Sequence, residues 1–302
     1  NPSKLAPIVP SGSVIGEVLP ERAKELGIDP VPVTTSTPDL TSAAVGSGQV
    51  ADGAMHLYVG TSSWLSAHVP FKRTDLFHNI ATLPSSIKGR YLVATEQQTA
   101  GRSLEHLRNE LLGMPDMPFA DLVAEAEASA PGAGGTFFTP WLNGDRTPID
   151  DNDSRASYTN ISLGTSRGDL VRATLEGVAM NIRWMHHYTE KLVKSRVDDI
   201  AVIGGGAESD LWCQIISDVL DRQIRRIDQP RQANVRGAAL LASVGIGAIK
   251  VEDIRHCVQT DATFTPDGAN RNLYDDRFDA FKGFHKANRK MFSKLNAGKG
   301  GH

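Results

Sequence analysis

Residues 200–212 read IAVIGGGAESDLW, and this stretch decides the fold. The apolar run at 200–203 is typical of a short buried strand, and the three glycines after it predict a tight turn. Ser209 or Asp210 then suits a helix N-cap. Behind the cap, apolar residues recur at helical spacing and form one stripe: Leu211, Trp212, Ile215, Ile216, Val219 and Leu220. The stretch therefore predicts a strand, a glycine turn and an amphipathic helix.

A glycine turn between a strand and a helix is also a candidate ligand site. Glycine lets a ligand approach the backbone, and the free N–H groups at a helix start favour anions. Strand–glycine–helix turns without a ligand are common, so a purely structural turn stays an alternative. No third glycine opens the helix and no paired βαβ unit precedes it, which disfavours a dinucleotide site such as that of an NAD-dependent oxidoreductase. The turn therefore points to a nucleotide held through its phosphates.

Composition narrows the class of protein. A chain of 302 residues can bury one full core or divide it between two lobes. Its net charge of −3 argues against a nucleic-acid-binding surface as the main role. The two cysteines, Cys213 and Cys257, make no disulfide framework and favour a reducing, cytoplasmic setting. We expect no signal peptide, and no apolar stretch reaches the roughly 18 residues that a membrane span needs.

The pattern of elements along the chain indicates the fold class. Strands are predicted at 31–35, 54–59, 64–69, 91–93, 200–203 and 223–227. Helices are predicted at 40–46, 100–112, 168–193, 210–220, 234–244 and 275–295. The stretch at 131–153 is rich in Gly, Pro, Asn and Asp and is expected to be a long loop. Hairpin strands followed by alternating strands and helices predict an α/β domain with a mixed sheet flanked by helices.

Two further candidate sites precede the glycine turn. The hairpin turn Gly60-Thr61-Ser62 offers backbone N–H and hydroxyl donors to a phosphate, although a plain hydroxyl-rich turn is the alternative. Asp39 opens the helix at 40–46, where an acidic residue complements the helix dipole. The same position would let its carboxylate orient a hydroxyl group and accept its proton during phosphoryl transfer.

Two other residues are expected to be structural. Arg146 in a polar loop predicts a loop salt bridge, with a position facing a cleft as the alternative. Gly177 lies inside a predicted helix, where glycine costs up to ~1 kcal/mol relative to alanine, so a close contact with a neighbouring element is expected there.

Taken in this order, the elements resemble the FGGY family of carbohydrate kinases, and the xylulokinases most closely within it. The resemblance covers nearly the whole chain. Its landmarks are Asp39, the small-residue run 43–48, the turn 60–62, the segment 98–104, the loop 144–148, the helical segment 175–179, the glycine turn 204–207 with Leu211 and Trp212, and the segment 236–239.

This resemblance implies a ribonuclease-H-like lobe of the actin, Hsp70 and hexokinase type. Residues 1–52 are then expected to be the C-terminal remnant of a sugar-binding N-terminal lobe, and residues 53–295 the nucleotide-binding C-terminal lobe. Residues 296–302 are expected to be a flexible tail. The chain lacks an Asp-x-Gly-Thr strand-turn, so the partner N-terminal lobe is expected to be largely missing.

The same resemblance implies ATP-dependent phosphorylation of a sugar hydroxyl, D-xylulose to D-xylulose 5-phosphate, in the intact protein. Mg²⁺ is expected to bind through the nucleotide phosphates, with no protein metal site. In that family the position matching Asp39 is the catalytic base, and the turn matching Gly60, Thr61 and Ser62 holds the phosphates. The other nucleotide-binding positions that the resemblance implies are Gly101, Glu105, Gly205, Gly206, Ala207 and Asp210.

The sequence also departs from the family pattern. Residues 36–38 read Ser-Thr-Pro where relatives usually carry glycines before the aspartate, and His106 replaces a common aromatic residue. One alternative is therefore a nucleotide-binding lobe without catalytic activity of its own, and another is a kinase for ribulose, gluconate or glycerol. The expected partners are the sugar and ATP, without nucleic acid or membrane, and a homodimer is left open.

Overall fold

The computed structural model describes residues 4–296. Its strands are β1 (Val14–Glu17), β2 (Pro32–Thr34), β3 (Met55–Val59), β4 (Ser63–Val69), β5 (Thr74–Asp75), β6 (Ile80–Pro84), β7 (Tyr91–Ala94), β8 (Phe137–Thr139), β9 (Ser157–Thr159), β10 (Asp199–Ile203), β11 (Gln223–Ile227) and β12 (Thr260–Phe264). Its α-helices are α1 (Pro20–Leu26), α2 (Asp39–Gly46), α3 (Gly101–His106), α4 (Phe119–Glu127), α5 (Arg167–Val193), α6 (Asp210–Leu220), α7 (Ala233–Gly245) and α8 (Arg271–Asn296). The expected tail lies outside the described residues except for Asn296, which ends α8.

Eight strands form one sheet in the order β12-β11-β10-β3-β4-β7-β6-β5. The strand β10 lies between β11 and β3 and is parallel to both, whereas the other neighbours in the sheet are antiparallel. A tight turn joins β3 to β4 and makes them antiparallel, while α6 carries the chain from β10 across to the parallel β11. The predicted mixed sheet is confirmed.

The central strand β10 is buried on both faces. Ile200 and Val202 pack into the main core, which includes side chains of α5 and α6. Ala201 and Ile203 pack into a second cluster on the opposite face, together with Ala43 of α2 and other residues near α7. Burial on both faces explains why the sequence of β10 is an unbroken apolar run rather than an alternating one.

Two glycines bring α2 into close contact with α7. A Cβ atom on Gly46 would lie 1.7 Å from the carbonyl oxygen of Ala233, and one on Gly237 would lie 1.9 Å from that of Ser42. The Ser42 hydroxyl also donates a hydrogen bond to the carbonyl oxygen of Asn234 at 2.8 Å. This contact fixes α2, and with it the residue that opens the helix, against one face of the sheet.

The predicted long loop at 131–153 contains one strand, which the sequence pattern missed. Phe137–Thr139 forms β8 and pairs with β9. A three-residue strand is too short to show an alternating pattern, so pairing and packing decide it. Gly177 of α5 lies against this strand, where a Cβ atom would be 2.4 Å from the carbonyl oxygen of Phe138. The close contact expected at Gly177 is confirmed.

Candidate active site

The hairpin turn and the glycine turn meet at one edge of the sheet. The strands that precede them, β3 and β10, are parallel neighbours, with Tyr58 opposite Ile203. Their carboxyl ends therefore lie side by side. Immediately beyond them, a Cβ atom on Gly204 would lie 2.4 Å from the carbonyl oxygen of Val59. Two turns separated by more than 140 residues are thus in direct backbone contact.

The start of α3 also contacts the hairpin turn at this edge of the sheet. The Gly101 N–H donates to the carbonyl oxygen of Gly60 at 2.8 Å, and the N–H groups of Ala100 and Arg102 donate to that of Thr61 at 2.9 and 3.2 Å. A Cβ atom on Gly101 would lie only 2.6 Å from the Gly60 carbonyl oxygen. Glycine is therefore required where the helix meets the turn.

The hairpin turn presents two hydroxyl groups. The Gly60 N–H donates to the carbonyl oxygen of Ser62 at 2.8 Å and closes the turn. Thr61 is exposed and Ser62 half-buried, and neither hydroxyl has a hydrogen-bond partner among residues 4–296. Both hydroxyls are therefore available to a ligand with acceptor oxygens.

The glycine turn is a short 3₁₀ turn, Gly205–Glu208, that leads into α6. The Ser209 side chain caps this helix by accepting a hydrogen bond from the Trp212 N–H at 3.1 Å, so Ser209 is the N-cap. A Cβ atom on Gly206 would lie 2.5 Å from Cγ1 of Val59, whereas the nearest atom to one on Gly205 is 3.7 Å away, in Arg231. Gly206 is thus a packing glycine, whereas a Cβ atom on Gly205 would make only an ordinary van der Waals contact with the Arg231 guanidinium. Ala207, next along the turn, is buried.

Asp39 is the first residue of α2 and is exposed, and its Oδ1 atom accepts a hydrogen bond from the Leu40 N–H at 2.7 Å. It lines a cavity of about 380 Å³. The polar and aromatic side chains around this cavity include Asp39, Ser62, Trp64, Asn79, Glu96 and Arg146. The candidate base and one hydroxyl residue of the hairpin turn therefore line the same space.

Two loops, held to each other, form part of the wall of this cavity. The Thr147 N–H donates to the carbonyl oxygen of Glu96 at 3.0 Å, and the Glu96 N–H donates to the Thr147 hydroxyl at 3.2 Å. The Arg146 guanidinium donates to the Glu96 carboxylate at 2.6 Å. The predicted loop salt bridge of Arg146 is confirmed, and Arg146 also lines the cavity.

Behind this wall lies a buried carboxylate, Asp145, that the sequence did not identify. It accepts hydrogen bonds from the N–H groups of Gln98 and Arg146, both at 2.9 Å, and from the Asn181 amide at 2.8 Å. Burial raises the pKa of Asp145 to about 7, although these hydrogen bonds act in the opposite direction. Its only sequence signal is an acidic residue between Gly144 and Arg146 in a polar loop.

Ser62 is the one predicted nucleotide-binding residue that lines this cavity, and Asp210 and Glu105 are among those that do not. The Asp210 carboxylate accepts a hydrogen bond from the Arg226 guanidinium at 2.5 Å, and the Asp210 side chain is 76% exposed. Glu105 lies on α3, half-buried, one turn beyond Gly101. Neither residue lines the cavity that Asp39 lines. A nucleotide base that contacts Asp210 must share the carboxylate with Arg226.

A larger cavity, of about 610 Å³, lies elsewhere, beside α4, α5 and α6. One acidic residue of this cavity, Asp218, accepts hydrogen bonds from the side chains of Gln214 and Asn270, at 2.7 and 2.9 Å, and from the Asp267 N–H at 2.9 Å. Because Asp39 and Ser62 line the smaller cavity, we place the candidate active site there.

Residues 4–296 contain no group of three or more His, Cys, Asp or Glu side chains placed to hold a metal ion. In the same range, no helix combines the length and the apolar composition that crossing a bilayer requires.

The chain is similar in sequence to known carbohydrate kinases. A family model for the C-terminal domain of the FGGY family of carbohydrate kinases matches residues 55–246. The xylulose kinase of Staphylococcus epidermidis is 30% identical over 298 residues, which is 96% of this chain and 58% of that protein. A gluconokinase of Bacillus subtilis is 25% identical over 259 residues, which is 82% of this chain and 50% of that protein.

The fold is shared with solved structures. The crystal structure of xylulose kinase from Rhodospirillum rubrum matches with a TM-score of 0.80 at 26% sequence identity, covering 96% of this chain and 59% of that one. The likeness confirms the expected α/β fold. The chain spans 58% of the length of the staphylococcal relative. The comparison therefore does not show that this chain has the activity of the whole enzyme.

Proposed function

Because the chain belongs to the FGGY family of carbohydrate kinases, we propose that the intact protein transfers the terminal phosphoryl group of ATP to a sugar hydroxyl. The observation that carries this proposal is the convergence of the hairpin turn, the glycine turn and the start of α3 at one edge of the sheet. A phosphate chain needs closely spaced hydrogen-bond donors, and this edge supplies the hydroxyl groups of Thr61 and Ser62 beside a cavity lined by a carboxylate.

Each predicted site residue has a role in this proposal. Thr61 and Ser62 donate to the phosphates, with Gly60 and Gly101 allowing the close approach of the two backbones. Gly205, Gly206 and Ala207 flank the adenosine, and Asp210 and Glu105 contact the nucleotide from α6 and α3. Gly205 supports this arrangement best, because a Cβ atom there would meet only the Arg231 side chain, with no atom closer than 3.7 Å.

Asp39 is the proposed catalytic base. The sugar oxygen forms a bond to the γ-phosphorus while the bond from that phosphorus to the bridging oxygen breaks, and ADP leaves with the bonding electrons. The Asp39 carboxylate accepts the hydroxyl proton late in this loose transition state. Its exposed position at the cavity leaves room for a sugar to reach it.

Magnesium would enter this site bound to the nucleotide phosphates. Carboxylates of Asp39 and Glu96 line the cavity, and oxygen donors of this kind suit Mg²⁺. When bound, the ion neutralises charge on the phosphate oxygens.

D-Xylulose is the proposed substrate, with D-xylulose 5-phosphate as the product. Its support is the name of the staphylococcal relative, which is more similar to this chain than the gluconokinase is. Gluconate, ribulose and glycerol are the competing substrates.

We also propose that residues 1–52 belong to a sugar-binding N-terminal lobe and residues 53–295 to the nucleotide-binding lobe. Residues 5–26 support this division because their large apolar side chains are poorly covered: Leu5, Ile8, Ile15, Leu19 and Leu26 are all more than half exposed. The helix α2, also in the first segment, packs instead against α7 of the second. A cytoplasmic location and a homodimer stay predictions.

The proposal is tested with the 302-residue chain and with the intact protein. We expect the chain alone to bind ADP weakly, to bind no NAD, and to phosphorylate no sugar, because closure of the cleft needs both lobes. The intact protein should release ADP in the presence of D-xylulose and less in the presence of gluconate, ribulose or glycerol. Binding of NAD without ADP would overturn the kinase assignment, and sugar-dependent ADP release by the chain alone would overturn the need for a second lobe.

A further inference from the structure

Arg146 is the one basic side chain among the described residues that line the cavity containing Asp39 and Ser62. Two carboxylates, Asp39 and Glu96, line the same cavity. A bound triphosphate would add more negative charge to this space. A cation on its wall is therefore placed where it offsets that charge most directly.

Most N–H donors of the Arg146 guanidinium are not used in hydrogen bonds within residues 4–296. Among residues 4–296, its side chain donates only to Glu96, through Nη1 at 2.6 Å, and 56% of the side chain is exposed. An arginine carries five N–H donors in a planar fork that matches the oxygens of a phosphate. The remaining donors can therefore engage a ligand while Glu96 keeps the group in place.

The backbone that carries Arg146 is also fixed. Its N–H donates to the buried carboxylate of Asp145 at 2.9 Å, and its carbonyl oxygen accepts from the Asp150 N–H at 2.8 Å. The same Asp145 oxygen accepts from the Gln98 N–H, close to the segment that binds the hairpin turn. The backbone position of Arg146 is therefore fixed, and the ion pair with Glu96 restricts its side chain, which lowers the entropy cost of binding an anion.

We infer that Arg146 binds the γ-phosphoryl group of the nucleotide, in the cavity between Asp39 and the hairpin turn. This inference rests on the proposed kinase function. It assigns to the loop at 144–148 a direct contact with the group that is transferred. We expect ADP, which lacks the γ-phosphoryl group, to make no contact with Arg146.

The test compares ADP with the non-hydrolysable ATP analogue AMP-PNP, each with Mg²⁺, by isothermal titration of the 302-residue chain. We expect Arg146→Gln to weaken AMP-PNP binding about tenfold or more, since charge-assisted hydrogen bonds to phosphate are among the strong ones. ADP affinity should stay within about twofold. Arg146→Lys should give an intermediate loss of AMP-PNP affinity, because it keeps the charge and loses the fork.

Arg90 provides the matched control. It forms a surface ion pair with Asp52 at 2.6 Å, with both side chains 40% exposed, and it does not line the cavity. Arg90→Gln should change neither affinity, and thermal unfolding should show that both variants are folded.

Two outcomes of this titration overturn the inference: Arg146→Gln could weaken the binding of ADP and AMP-PNP equally, or weaken the binding of neither nucleotide. In both cases the unmodified chain still binds nucleotide, so the proposed function stands. If the unmodified chain binds neither nucleotide, the nucleotide binding expected of this lobe fails, and the inference fails with it.

Discussion

The backbone of Gly204 lies against the backbone of Val59. A Cβ atom at position 204 would lie 2.4 Å from the Val59 carbonyl oxygen. Gly204 also adopts a φ of +93°, which L side chains rarely reach. This single contact brings the ends of two parallel strands together, and with them the hairpin turn and the glycine turn. The candidate phosphate site therefore requires glycine at position 204, where the Cβ atom of any other residue would clash.

We predict that Gly204→Ala lowers the free energy of unfolding by about 2 kcal/mol or more, since the substitution adds a clash to an unfavourable backbone conformation. Gly89→Ala is the control, because Gly89 has a φ of +77° and no atom within 4 Å of its Cβ position. It should cost only about 1 kcal/mol. Urea denaturation measures both, and equal losses would show that the contact with Val59 contributes nothing.

Asp39→Asn should lower kcat of the intact protein by a factor on the order of 10²–10⁴, because the amide cannot accept the hydroxyl proton. Nucleotide affinity should be retained. Asp121→Asn is the matched control, since Asp121 is another exposed acidic residue in the first turn of a helix, α4. Steady-state kinetics and nucleotide titration separate the two effects, and undiminished turnover would remove Asp39 from its role.

The close contact between α2 and α7 predicts that Gly237→Ala destabilises the protein by about 1–3 kcal/mol, because its Cβ atom would overlap the Ser42 carbonyl oxygen. Gly283 lies inside α8 with nothing within 4 Å of its Cβ position. Gly283→Ala should therefore stabilise the protein by about 0.5–1 kcal/mol through helix propensity. The two substitutions should differ in sign in thermal or urea unfolding. Two stabilising results would contradict the contact.

His56 predicts a dependence of stability on pH. It is fully buried on β3, neither ring nitrogen has a hydrogen-bond partner in the described part of the chain, and burial lowers its pKa to about 3, with the charge of His68 adding to the effect. The unfolded chain binds a proton near pH 6.5 and the folded chain does not, so stability is lost as the pH falls from 6.5 toward 3.

Between pH 7.5 and pH 5, this group should cost about 2 kcal/mol of unfolding free energy. His56→Leu removes the titration, so the stability of this variant should fall by that much less over the same interval. Urea unfolding at the two pH values measures the difference. An identical pH dependence in both proteins would mean that folding leaves the pKa of His56 unchanged.

Much of the sheet could be predicted from the sequence because its signals are local. The apolar run and glycines at 200–206 predicted β10 and the turn after it, and the residues Gln223–Ile227 form β11 as expected. The strands β1, β5, β6, β8, β9 and β12 were not predicted from the sequence. Each contains two to five residues, and its conformation is set by pairing with a neighbouring strand and not by a pattern within the segment.

The candidate site was predicted only in part for the same reason. Asp39 and the two turns carry local signatures of a helix start, a hydroxyl-rich turn and a strand–glycine–helix junction. Asp145 and Glu96 carry none, because their significance comes from burial and from bonds between loops about 50 residues apart. A polar loop in a sequence does not reveal which of its acidic residues will be enclosed.

The sequence alone located the elements whose signals are local, such as β10, the turn after it and α6, because periodicity, caps and glycines act within a few residues of one another. It also determined the candidate donors and the candidate base. Only the tertiary structure decided that β10 pairs beside β3, and thereby that two turns far apart in the chain share one edge. Strand order depends on burying both faces of the sheet between helices, and that requirement involves the whole chain at once.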